Sequence, residues 1–132
     1  MNAQRTAFFV SDRTGITAEM LGHSLLTQFE GVRLKEITVP FIDSADKAMT
    51  FVRQINAAAV ADGVRPIVIS TLVNTEIAGI VSKANALFLD SFEIFIDPLE
   101  RELGVKASHA VGRSHSTDDF VNYHHQIGRA HV

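Results

Sequence analysis

Apolar and polar positions switch between two periods along this chain, and the switches mark its elements. Thr6 to Val10 is a short run of β-favouring residues that ends abruptly at Ser11-Asp12. From Ile16 the period lengthens, and Met20, Leu21, Leu25 and Phe29 recur at helical spacing until Gly31 stops the pattern. Val32, Leu34, Ile37 and Val39 then mark a half-buried or edge strand over Val32 to Val39, ended by Pro40. Asp43 or Ser44 can cap a second helix whose stripe is Ala45, Ala48, Met49, Val52, Ile55 and Ala59, closed by Asp62-Gly63. Pro66-Ile67-Val68-Ile69-Ser70-Thr71-Leu72 has the near-continuous apolar character of a strand buried on both faces of a parallel sheet. Asn74 or Thr75 then caps a short helix through Lys83.

Ala86 to Leu103 carries two readings. Leu87, Phe88, Phe92, Phe95, Ile96, Leu99 and Leu103 fit helical spacing, with Pro98 forcing a kink or a restart after Asp97. A strand over Phe92 to Ile96 competes with it, and on either reading Phe88, Phe92 and Phe95 are expected in the core. The β-α-β-α-β-α order implies an α/β fold: a three-layer domain with a small, mostly parallel sheet, Rossmann-like or flavodoxin-like in layout. That domain is expected to occupy residues 1–104. Residues 105–126 are polar and aperiodic, with His109, Arg113, His115, Asp118, Asp119, His124 and His125, and read as a linker or arm toward another domain.

Composition narrows the function classes. With 132 residues, 46% hydrophobic and 20% charged, the chain is globular and long enough for one domain with a real core. Cysteine is absent, so no thiolate nucleophile, disulfide framework or cysteine zinc site is available. No apolar run is long enough to cross a bilayer and no signal-peptide layout opens the chain, so a cytoplasmic location is expected. A net charge of −3 without a basic cluster argues against nucleic acid as the main partner.

The candidate chemistry gathers at the first strand-to-helix junction. Ser11, Asp12, Arg13, Thr14, Gly15 and Thr17 offer hydroxyls, a carboxylate, a guanidinium and the free N–H groups of a helix start. One reading is a phosphate or anion contact, with Asp12 orienting a hydroxyl, accepting a proton or holding a metal. The plainer reading is a tight turn in which Asp12 or Thr14 only caps the helix. Ser70-Thr71 ends the central strand where it can line the same crevice, or merely terminate the strand. Arg113 and His115 form a solvated pair in the arm or reach toward a phosphorylated substrate. His23 is a packed or surface histidine, and the adjacent His124-His125 point apart, so no metal site is expected.

The run Ser11-Asp12-Arg13-Thr14-Gly15-Ile16-Thr17-Ala18-Glu19, followed by Gly22-His23 and Gln28-Phe29, resembles the N-terminal motif of the phosphoenolpyruvate synthase and pyruvate, phosphate dikinase regulatory proteins. The likeness continues through Val39-Pro40-Phe41, Gly63-Val64-Arg65-Pro66, Ser70-Thr71-Leu72, Pro98-Leu99 and Gly112-Arg113-Ser114-His115, from Thr6 to about His125. It is nearer the synthase branch in wording.

The resemblance implies a bifunctional enzyme. Such a protein inactivates its target by ADP-dependent phosphorylation of a threonine and reactivates it by phosphate-dependent removal, yielding pyrophosphate. It also implies ADP or ATP and phosphate as ligands, the synthase (alternatively the dikinase) as partner, and a homo-oligomer when complete. In the family the phosphate-cradling P-loop lies in a C-terminal domain. None of the eight glycines here is followed by lysine, so no such loop exists in this chain, and the family's stretch beyond the Tyr123 region is missing too. The chain therefore reads as the N-terminal part of a longer protein, binding no nucleotide tightly and inactive by itself. Ile127-Gly128-Arg129-Ala130-His131-Val132 departs abruptly from the family pattern and reads as an artefactual tail, against the alternative of a divergent natural one. Two further readings are a non-catalytic docking module for the synthase and a domain sensing ADP, phosphate or pyruvate at the first turn.

Overall fold

The computed structural model describes residues 4–108. Its order is β1 (Arg5–Val10), α1 (Ile16–Leu26), β2 (Leu34–Val39), α2 (Ala45–Asp62), β3 (Ile67–Ser70), α3 (Thr75–Ser82), β4 (Leu87–Asp90) and α4 (Ser91–Leu103). The four strands form one parallel sheet in the order β2-β1-β3-β4. Among the described residues no helix is long and apolar enough to cross a membrane.

β1 sits between two neighbours and is buried from Thr6 to Val10. Because side chains alternate across a strand, Phe8 and Val10 face one layer while Ala7 and Phe9 face the other. The first layer is α2 and α3, which bring Phe51, Ile55, Ile77 and Val81 against Val68 and Leu72. There Phe8 and Phe51 meet edge to face with ring centroids 5.3 Å apart. On the opposite face α1 supplies Ala18, with Leu21 and Leu26 beside it, against Phe9 and Ile69. The three-layer α/β arrangement expected from the element order is therefore observed, with one more strand and helix than the order counted.

Three expectations change. First, the strand in Ala86 to Leu103 is Leu87–Asp90, and Phe92 to Ile96 is helical. The Asp90 carboxylate accepts hydrogen bonds from the N–H groups of Phe92 and Glu93, both at 3.1 Å, and so starts α4 at Ser91. Pro98 lies inside that helix without ending it.

Second, Phe92 and Phe95 are not core residues: they are 37% and 57% exposed, because α4 lies beside an edge strand with no described layer over its outer face. Phe88 alone of the three packs against the α2–α3 side. Third, Met20 and Leu25 of α1 and Phe29 just beyond it are exposed, and the sheet-facing positions of the helix are the small residues Ala18 and Gly22. The reason is steric, since a Cβ at residue 22 would clash with the Phe9 ring edge. The expectations for Arg113, His115, His124-His125 and the tail, and for the arm beyond residue 108, lie outside the described residues.

Gly22→Ala is expected to destabilise the chain by about 1–3 kcal/mol through overpacking. Gly79→Ala, inside α3 with nothing within 4 Å of the added carbon, is expected to stabilise it by about 0.5–1 kcal/mol. Urea denaturation of the two variants checks both signs.

Candidate functional site

The chain leaves β1 and runs leftward through α1 to β2, then crosses back through α2 to β3 on β1's other side. The strand order thus reverses between β1 and β3, and the crevice beyond their carboxyl ends is where open α/β sheets bind ligands. Ser11 to Gly15 and Thr71 to Val73 form its two rims.

Backbone bonds hold the first rim. The Ser11 N–H donates to Val39 O at 3.1 Å, the Ile42 N–H to Ser11 O at 2.9 Å, and the Phe41 N–H to Arg13 O at 2.8 Å. These bonds hold Phe41 at φ 60, a left-handed conformation that costs a non-glycine residue about 1–3 kcal/mol. The phenyl ring it carries is half exposed beside the rim. The Ser11 hydroxyl accepts from the Arg13 N–H at 2.9 Å, and the Ser70 hydroxyl accepts from the Leu72 N–H at 3.1 Å. Both strands therefore leave the sheet through the same serine turn. Ser11 and Ser70 thus shape the rims through hydroxyl oxygens that accept these bonds. Thr71 likewise serves the strand end, its N–H donating to Val10 O at 3.0 Å.

Asp12 joins the rims. It is buried, and its Oδ2 accepts the Val73 N–H at 3.0 Å. Its other oxygen carries no hydrogen bond among the described residues. Asp12 is therefore not a helix cap, and neither is Thr14. The N-cap of α1 is Gly15, at φ 87, with no side-chain hydrogen bond to the helix start. Ser44, Asn74 and Asp90 do cap α2, α3 and α4 with their side chains.

Gly15 is required twice over: its φ disfavours any side chain, and a Cβ there would lie 2.8 Å from Thr38 Cγ2. The resulting turn presents the first N–H groups of α1 beside the exposed Thr14 and Thr17 and the half-buried Arg13, whose guanidinium has no partner among the described residues. Uncapped amides, hydroxyls and a free guanidinium form a set suited to an anion.

Of the residues expected at the site, Ser11, Asp12, Arg13, Thr14, Gly15 and Thr17 thus lie along one turn. His23 stands apart on α1, its Nδ1 2.9 Å from Glu36 Oε1 at the surface. Asp43, just past the Phe41 rim, has its carboxyl held below the usual range by the hydrogen bond from Lys47 Nζ at 2.9 Å. Two participants escaped the reading of the sequence, the Val73 amide and the strained Phe41. A backbone N–H has no residue-type signal, and only the Pro40 before Phe41 hinted at a turn.

Asp12→Ala strands the Val73 N–H and is expected to cost about 1–3 kcal/mol in denaturant titration, whereas Asp12→Asn keeps an acceptor and costs less. Equal losses would mean that the clasp contributes nothing.

Residues 7–129 match the kinase/pyrophosphorylase family. A relative from Aromatoleum aromaticum is 54% identical over 123 residues, covering 93% of this chain and 44% of its own length. One from an Azoarcus species is 55% identical with the same coverage, and one from Pseudomonas putida is 53% identical over 124 residues, covering 94% of this chain and 46% of itself. All three are provisionally named phosphoenolpyruvate synthase regulatory proteins. The chain thus spans less than half the length of these curated relatives. With nearly all of its residues matched, the chain belongs to the kinase/pyrophosphorylase family.

Proposed function

We propose that this chain is the N-terminal part of a bifunctional regulator of phosphoenolpyruvate synthase, which phosphorylates a threonine of the synthase with ADP and removes the phosphoryl group with inorganic phosphate. The observation that carries the reading is the Asp12–Val73 clasp at the β1–β3 switch point, beside a helix start that no side chain caps. The family match and the names of the relatives support the reaction class and the target.

In the forward direction the threonine oxygen bonds to the β-phosphorus of ADP, the bond from that phosphorus to the bridging oxygen breaks, AMP leaves, and the hydroxyl proton must be accepted. In reverse, an oxygen of inorganic phosphate bonds to the phosphorus of phosphothreonine, the threonine oxygen leaves and regains a proton, and pyrophosphate forms. Both directions demand an anion seat and a proton-handling group, with positioning supplying much of the catalysis. The α1 amides, Arg13, Thr14 and Thr17 suit the anion seat. Asp12 does not, since a carboxylate repels phosphate, and its role here is to orient the threonine hydroxyl and take its proton. The main phosphate cradle, with ADP or ATP, belongs to the portion of the longer relatives that this chain does not span, because no glycine here precedes a lysine.

In the full-length protein, Asp12→Ala is expected to lower ADP-dependent phosphorylation of the synthase by about 10²–10⁴-fold, with Asp12→Asn equally impaired but better folded. Unchanged turnover in the asparagine variant removes Asp12 from the chemistry. The 132-residue chain mixed with ADP and synthase should yield no phosphothreonine, and measurable transfer would overturn its dependence on the missing portion.

A further inference from the structure

α4 leaves most of its surface open among the described residues. At 100° per residue, Phe92, Phe95, Ile96, Leu99 and Leu103 fall on one stripe about 100° wide. Most of that stripe is open: Leu99 and Leu103 are 51% and 69% exposed, Ile96 is half-buried, and Ser91 is the one fully buried residue of the helix. The opposite side, with Glu93, Asp97 and Arg101, lines an open groove against Phe88 and Asp90 of β4. Glu93, Ile94, Asp97 and Arg101 on that side are exposed as well, so among the described residues α4 leaves both its charged side and most of its apolar stripe open. The strand beneath matches it. The β2 edge carries the exposed charges Lys35 and Glu36, which deter pairing, whereas β4 reads Leu87-Phe88-Leu89 without a charge until Asp90.

We infer that the apolar stripe of α4 is the seat for a basic-rimmed amphipathic segment of the same polypeptide, drawn from the portion of the longer protein that this chain does not span. Two observations choose this occupant. More than half the length of the curated relatives lies outside the match, so on the reading proposed above a large covalently linked partner is at hand for the face, and linkage raises its effective concentration. Charge disfavours the simplest rival: Glu100 and Glu102 flank the stripe on its two sides while the one cation of the helix, Arg101, lies opposite it, so two copies of α4 placed face to face would bring like charges together. A segment with apolar anchors and lysine or arginine flanks is attracted instead. The inference rests on the reading of the chain as part of a longer regulator and adds where the two parts meet.

Hydroxyl-radical footprinting of the α4 side chains tests it, on this chain and on the full-length Azoarcus relative at the aligned helix. The stripe should label readily in the 132-residue chain and several-fold less in the full-length protein, with labelling recovered as salt is raised. Equal labelling in both overturns the inference, as does a concentration-dependent dimer of this chain that protects α4. Phe95→Asp with Leu99→Asp should leave the melting temperature of the 132-residue chain unchanged, since both side chains are exposed, yet restore labelling in the full-length form. A full-length protein that phosphorylates the synthase while its helix stays labelled defeats the docking alone. A protected helix without phosphotransfer defeats only the functional reading.

Discussion

A helix can lie close on a strand only where nothing stands between them, and in this domain that condition is met where α1 crosses β1. Gly22 of α1 rides over the Phe9 ring of β1, where even one added carbon would collide with the ring. With Ala18 it gives the helix a small-residue underside flanked by Leu21 and Leu26, so α1 sits low on the sheet while Met20 and Leu25 turn outward. The height of α1 decides where its first turn arrives. It arrives at the carboxyl end of β1, where Gly15 tucks under Thr38 and the first amides stand clear of any cap.

The crevice depends on that placement. β1 and β3 leave the sheet through matching serine turns, and Asp12 spans the gap to the Val73 amide. A buried carboxylate is stabilising only while its hydrogen bonds are made, and the Asp12 clasp links the two rims. Strain at Phe41 is maintained by two bonds from the neighbouring backbone to the same rim. The rims are therefore preorganised by the protein rather than by a ligand. Such rigidity suits positioning chemistry.

Opposite this organised end, α4 is the least committed element. Its capping by Asp90 and its C-terminal turn at Gly104 are as regular as those of α2, yet it buries almost nothing. Its regularity is local, and its apolar stripe has no described layer to enter. The molecule thus has a finished half around β1 and β3 and an open half at β4.

Much of this was legible in the amino-acid sequence. Alternation, cap residues and the glycine stops placed β1, α1, β2, α2, β3 and α3, because those signals are local and each element's period survives in its own residues. The Ser11 to Thr17 segment was legible as a strand-to-helix turn for the same reason. Ala86 to Leu103 was ambiguous because a four-residue strand beside an edge has no period long enough to outvote the helical spacing that follows it. What only the tertiary structure decided is which apolar residues are buried and what Asp12 does. Burial of Phe92, Phe95 and Met20 depends on whether another layer lies above them, and the partner of Asp12 is an amide 61 residues away. Neither is a property of neighbours in the chain: both arise when non-local packing brings β3 beside β1.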